Sequence, residues 1–181
     1  MTPAPQDPTL APWMSLQERI AGYLAARARG LLASDFDLSG REGEELGRLR
    51  VHGRRGADLE AGHITAAIER GAGSRYKMLD SDGRVILEET AGSGDVSEVR
   101  RGNRVYEVRL ALLHNAAVAR SSGGAEVARV AGSLTNRSYE TFFDAREEGA
   151  LPLGVFLLYR IIALRRRAFL MGTEKDYASS P

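Results

Sequence analysis

The chain predicts a mainly β, antiparallel domain that ends in one strongly apolar helix. Three observations lead there. Between about residues 34 and 143, short runs of mixed apolar and charged residues alternate with Gly- and Asp-containing turns, the pattern of half-buried strands. No proline falls between Trp13 and Leu151, so the backbone donors of that span are uninterrupted. From Leu151 to Leu164 only Pro152, Gly154 and Arg160 interrupt an apolar run. A length of 181 residues suits one domain with a sizeable core and leaves little for a second.

The elements follow in order. Residues 1–14 carry Pro3, Pro5, Pro8 and Pro12 and read as a flexible or extended lead. In 15–29, Leu16, Ile20 and Tyr23 or Leu24 recur at helical spacing, and Ser15 with Glu18 has the form of a capping box. A short helix and then a strand near 22–28 are expected. DFDL, near 34–38, enters a turn at Gly40–Gly43, and LGRLRV (46–51) follows. HITAAIE (63–69) precedes Gly71 and Gly73. RYKML (75–79), the turn DSDG (80–83) and RVILEE (84–89) form the clearest hairpin, because Asp82-Gly83 can supply the left-handed conformation that joins antiparallel strands. RVYEVRL (104–110), AEVARV (125–130) and SYETFF (138–143) continue the series. In RVYEVRL, Tyr106, Val108 and Leu110 fall on one face and Glu107 and Arg109 on the other. The segment 105–115 is expected to join AEVARV through the SSGG turn at 121–124. No stretch of the middle has room for the crossover helices of a parallel sheet.

Residues 151–171 then form a helix opened by Pro152, apolar on nearly every side, with a polar tail at 172–181. Such a helix must be enclosed by protein, a bilayer or a partner chain. A bilayer asks for about 20 apolar residues, and Arg160 would sit in mid-span at a cost. A core helix is the preferred reading. Phe156, Leu157, Ile161 and Leu164 then pack inward, and the Arg160 guanidinium must reach the end of the core or pair with a carboxylate.

Composition excludes more than it identifies. There is no Cys, which removes disulfides, thiolate metal sites and Cys nucleophiles. The net charge is +1, so global charge gives no argument for nucleic acid. All basic residues but Lys77 and Lys175 are arginine, a bias typical of GC-rich coding. The basic surplus is local. Arg160 lies inside the apolar run and Arg165, Arg166 and Arg167 follow it, while Arg41, Arg48, Arg50, Arg54 and Arg55 are offset by Glu42, Glu44 and Glu45 without interleaved aromatics. His52, His63 and His114 read as surface or strand-end residues, and no metal or cofactor is expected. The phosphate-loop, zinc-protease and nucleophile-elbow motifs are absent. DSDGR (80–84) starts like a calcium loop but has no preceding helix and no closing Glu, so it reads as a hairpin. The carboxylate pairs Glu44/Glu45, Glu88/Glu89 and Glu147/Glu148 read as surface groups.

FDLSGREGEELGRL (36–49) and YKMLDSDGRVILEE (76–89) each read as a strand pair around an xDxxG turn, and LPLGVFLLYRIIAL (151–164) follows as one very apolar C-terminal helix. Over about residues 21–171 this resembles the tubby C-terminal-like group, which includes the LURP-one-related and phospholipid scramblase families. The resemblance implies a closed antiparallel β-barrel of about twelve strands with the C-terminal helix through its centre. Arg160 departs from the family pattern, which prefers apolar residues there. Some members bind phosphoinositide or other anionic lipid through a basic surface. Scramblase members carry acylated cysteines and a calcium-binding stretch, and this chain has neither the cysteines nor a convincing calcium run.

The expectation is therefore a non-enzymatic, cytoplasmic binding module of tubby-like type, peripheral at an anionic membrane surface or bound to a protein partner. Arg54, Arg55, Arg165, Arg166 and Arg167 are the candidate lipid or anion contacts. The alternative is a structural subunit of a larger assembly, such as a phage particle or secretion machine, that docks through its C-terminal helix.

Overall fold

Twelve short strands follow one another along the chain: β1 (Tyr23–Arg29), β2 (Asp35–Ser39), β3 (Glu45–Val51), β4 (Gly56–Ala61), β5 (Ile64–Arg70), β6 (Tyr76–Asp80), β7 (Val85–Ser93), β8 (Val96–Arg101), β9 (Arg104–Ala111), β10 (Ala116–Ser121), β11 (Glu126–Gly132) and β12 (Ser138–Phe143). A helix α1 (Ala11–Ile20) precedes them and a helix α2 (Ala150–Tyr177) follows. This is a computed structural model. It describes residues 9–30, 34–72, 75–93 and 95–177, except the side chains of Ala91, Ser93 and residues 167–177. The first eight residues of the expected lead and the last four of the expected tail lie outside the described residues.

Each strand pairs antiparallel with its neighbour in sequence, and β12 closes on β1, with Tyr23 opposite Phe142 and Arg27 opposite Ser138. The sheet is a closed up-and-down barrel, which leaves no unpaired edge. Alternation sets the inward face. Tyr106, Val108 and Leu110 of β9 are buried while Glu107 and Arg109 are exposed, as the pattern predicts. The DSDG hairpin also forms where expected. The Asp80 carboxylate accepts hydrogen bonds from the backbone N–H groups of Asp82 (2.9 Å) and Arg84 (2.8 Å), and Gly83 takes a left-handed φ of 76°.

The barrel contains α2. Every apolar side chain from Ala150 to Ala163 is at most 5% exposed, on all sides of the helix. The helix lies closest to β10, β11 and β12. Between the larger Val130, Tyr139 and Phe143, that wall presents small inward residues where the helix comes close: Ala117, Ala119, Ala128 and Thr141. The far wall presents large ones, among them Phe36, Leu49, Leu59, Met78 and Leu87, and they fill the wider gap. On the helix side, Gly154 permits the close approach, since a Cβ there would meet Thr141 Cγ2 at 2.8 Å. Enclosure by its own strands removes residues 150–163 as a face for docking on a neighbouring subunit.

The helix α1 plugs the mouth where α2 begins. Leu10, Trp13, Leu16 and Ile20 are buried, and Gln17, fully buried, ties the two helices together. Its carboxamide accepts from the Leu151 N–H (2.9 Å) and donates to the carbonyls of Ala145 (3.0 Å) and Glu147 (2.9 Å).

Several boundaries differ from the sequence reading. The first helix starts at Ala11, inside the expected lead, with Pro12 in its first turn, so Ser15 is interior rather than a cap. The strand β10 stands between β9 and the SSGG turn, where a direct join was expected. Its run of alanines has weak strand propensity, and tertiary packing against α2 overrides that. The strands β4 and β8 were likewise not separated from their flanking turns. The backbone of α2 runs from Ala150 to Tyr177 against the expected 151–171.

Candidate functional site

An up-and-down barrel sorts its connections into two ends. One end carries α1 and the start of α2. At the other, α2 leaves between the turns β1–β2, β3–β4, β5–β6, β7–β8, β9–β10 and β11–β12. Arg54 and Arg55 stand exposed in the β3–β4 turn at this exit end, and Arg75 and Arg137 are exposed in the β5–β6 and β11–β12 turns. The helix delivers Arg165 and Arg166 to the same rim. The side chain of Arg167 is outside the described residues. Residues far apart in sequence thus converge, while Arg41, close to Arg54 in sequence, lies at the opposite end over the Tyr23 ring. Arg48 and Arg50 are spent along β2, near Asp37 (3.8 Å) and Asp35 (3.1 Å).

The exit end is basic on balance. Asp35, Asp58, Glu69 and Asp95 are there too, but Asp35 pairs with Arg50, and Asp58 meets His52 at 2.7 Å. At the α1 end the exposed Glu18, Glu42, Glu44, Glu45, Asp82 and Asp144 stand among the exposed Arg19, Arg41, Arg84, Arg104 and Arg146, so the two signs nearly balance there. The basic surplus therefore lies at the exit mouth, although the net charge of the chain is only +1.

The basic turns are held from inside. Tyr159 of α2 donates to the Gly53 carbonyl (3.1 Å), and Tyr76 of β6 donates to the Arg54 carbonyl (3.3 Å). The Tyr76 and Tyr159 rings meet edge to face at 5.3 Å. Burial pushes the Tyr159 hydroxyl well above the usual tyrosine range, so it stays a donor. Arg165 donates to Asn136 Oδ1 (2.9 Å) and the Leu112 carbonyl (3.0 Å), and Arg166 to the Val51 carbonyl (3.4 Å). Burial lowers the Arg166 pKa. These two arginines fasten the helix to the rim, and the exposed Arg54 and Arg55 face solvent.

Of the expected core residues, Phe156, Leu157 and Ile161 are fully buried, and Leu164 is half-buried against the core. Arg160 pairs with a carboxylate, as the sequence demanded: Nη2 lies 3.0 Å from Glu89 Oε1, and the guanidinium stacks 4.6 Å over the Tyr76 ring. Glu89 had read as a surface carboxylate, yet only 4% of it is exposed. The reason is the alternation of β7, which turns Glu89 toward α2 and leaves Glu88 outside with Lys77 (2.9 Å). Glu147 and Glu148 are likewise engaged. They accept from Arg104, Tyr106 (3.0 Å) and Arg101 (3.3 Å), which clamps the turn before α2.

Two residues at the exit end escaped the sequence reading. Leu113 and Leu134, in the β9–β10 and β11–β12 turns, are 91% and 92% exposed. A signal for Leu134 was present, since a lone leucine in SLTNR lies inside a polar turn. Leu113 was hidden in the apolar run LALLH. Among the described residues there is no group of three side chains able to hold a metal ion, and no helix long and apolar enough to cross a membrane.

No protein-family model matches the chain, and no curated protein matches it. Among solved structures the chain is similar to an X-ray structure of a protein from Arabidopsis thaliana, with a TM-score of 0.54 and 14% identity. The match covers 76% of this chain and 89% of that one. At that identity the likeness is one of fold. The closed twelve-strand barrel around a C-terminal helix is the architecture that the sequence resemblance implied.

Proposed function

We propose that this protein is a non-enzymatic binding module of tubby-like type whose ligand is an anionic phospholipid surface, met by the exit end of the barrel. The observation that carries the reading is the convergence of Arg54, Arg55, Arg75 and Arg137 on one mouth, while the charges of the other mouth nearly balance. A basic surplus at one mouth turns that end toward an anionic plane during encounter. Each arginine near such a surface contributes about 1 kcal/mol, so four give an affinity in the millimolar range, reversible and salt-sensitive.

Co-sedimentation with phosphatidylcholine vesicles, with and without phosphatidylserine, tests this. Binding is expected only with phosphatidylserine, weakening as salt is added, and falling roughly tenfold or more when Arg54→Glu and Arg55→Glu are combined. Binding indifferent to lipid charge, or no binding, refutes the reading.

A further inference from the structure

The β9–β10 and β11–β12 turns are built alike. Each places a leucine two residues before an asparagine in the left-handed conformation: Leu113 before Asn115 (φ 48°), and Leu134 before Asn136 (φ 56°). The asparagines lock the turns together. Asn115, 2% exposed, donates from Nδ2 to the Ser133 carbonyl (2.7 Å) and to Asn136 Oδ1 (3.0 Å). Arg165 then binds Asn136 Oδ1 and the Leu112 carbonyl, so α2 fastens both turns at once. The result is a braced pair of apolar tips. Each leucine is more than nine-tenths exposed, on the same mouth as the basic turns.

Solvated leucines on braced turns cost the free protein, and isolated ones need no explanation. Two on adjacent, cross-linked turns, beside Arg137 and Arg165 and on the same mouth as Arg54 and Arg55, fit a surface that is apolar beneath an anionic layer. We propose that Leu113 and Leu134 insert into the acyl boundary of an anionic bilayer, while the rim arginines sit at headgroup level. The inference rests on the lipid reading above and adds its second anchor. Charge alone gives marginal attachment, and stable peripheral binding needs an apolar contribution as well.

The absence of cysteine makes the test direct. Leu113→Cys, Leu134→Cys and, as a control at the opposite mouth, Ser122→Cys are each labelled with an environment-sensitive fluorophore. Each is then mixed with phosphatidylcholine vesicles with or without phosphatidylserine. A blue shift at positions 113 and 134, quenched by lipids carrying a chain-borne quencher, and none at 122, is expected only with phosphatidylserine. Unlabelled Leu113→Ser/Leu134→Ser should keep its melting temperature and lose roughly tenfold in binding for each leucine. Binding of the unlabelled wild type without a shift at either leucine overturns insertion and leaves the electrostatic reading standing. No binding of the wild type overturns both. Self-association that the double serine variant abolishes, without any lipid response, assigns the leucines to a second copy and also overturns the proposal.

Discussion

Removing the Glu89 carboxylate tests the enclosure of α2 most sharply. Glu89→Ala leaves the Arg160 guanidinium inside the barrel beside Tyr76, without its counter-ion. Breaking a buried ion pair from one side costs about 3–5 kcal/mol, because the remaining charge is uncompensated. The Arg160 side chain is 19% exposed and that of Glu89 is 5% exposed. Some water therefore reaches the cation, and the ring beneath it retains about 1 kcal/mol of attraction. The expected loss is about 2–4 kcal/mol. The paired replacement Glu89→Leu with Arg160→Met should be near neutral or stabilising, since it removes both desolvation penalties together. Urea unfolding followed by the single tryptophan, Trp13, which is buried under α1, reads both variants. Equal slopes with a shifted midpoint would mark a change in stability alone. A loss below about 1 kcal/mol for Glu89→Ala would refute the argument, because it would mean that the guanidinium swings freely into water and α2 is not enclosed there.

Other consequences follow from the same packing. Leu157→Ala should cost about 2–5 kcal/mol in the same urea assay, whereas a helix outside a finished barrel would lose less than about 0.5 kcal/mol. Gln17→Ala orphans the Leu151 N–H and two carbonyls at the α1–α2 junction, and about 2–4 kcal/mol should be lost in thermal or urea melts. Burial pushes the Tyr139 hydroxyl from 10.0 up to about 12. Below pH 10 both states keep this proton. Between 10 and 12 the unfolded chain loses it first, so stability falls as pH rises through that window. Tyr139→Phe should flatten that part of the alkaline stability curve, and an unchanged slope would refute the assignment.

Local chemistry determined a good deal by itself. The DSDG turn, the alternation of Tyr106, Val108 and Leu110, and the apolar run after Pro152 each depend on neighbours within a few residues, and each formed as read. The need of Arg160 for a carboxylate was also legible, because no folded arrangement escapes the cost of a buried lone charge. Which carboxylate answers it was not. Glu88 and Glu89 are chemically alike, and only the register of β7 against the helix turns one inward. The alanines of β10 hid a strand for the converse reason, since their value lies in the space they leave for α2. Closure of β12 on β1 decided the rest. It joined residues more than a hundred positions apart and gathered arginines from separate turns at one mouth, while the pairing of β10 with β11 set the Leu113 turn beside the Leu134 turn. Long-range pairing of this kind has no local sequence signature, because its free energy comes from surfaces that meet only after the barrel shuts.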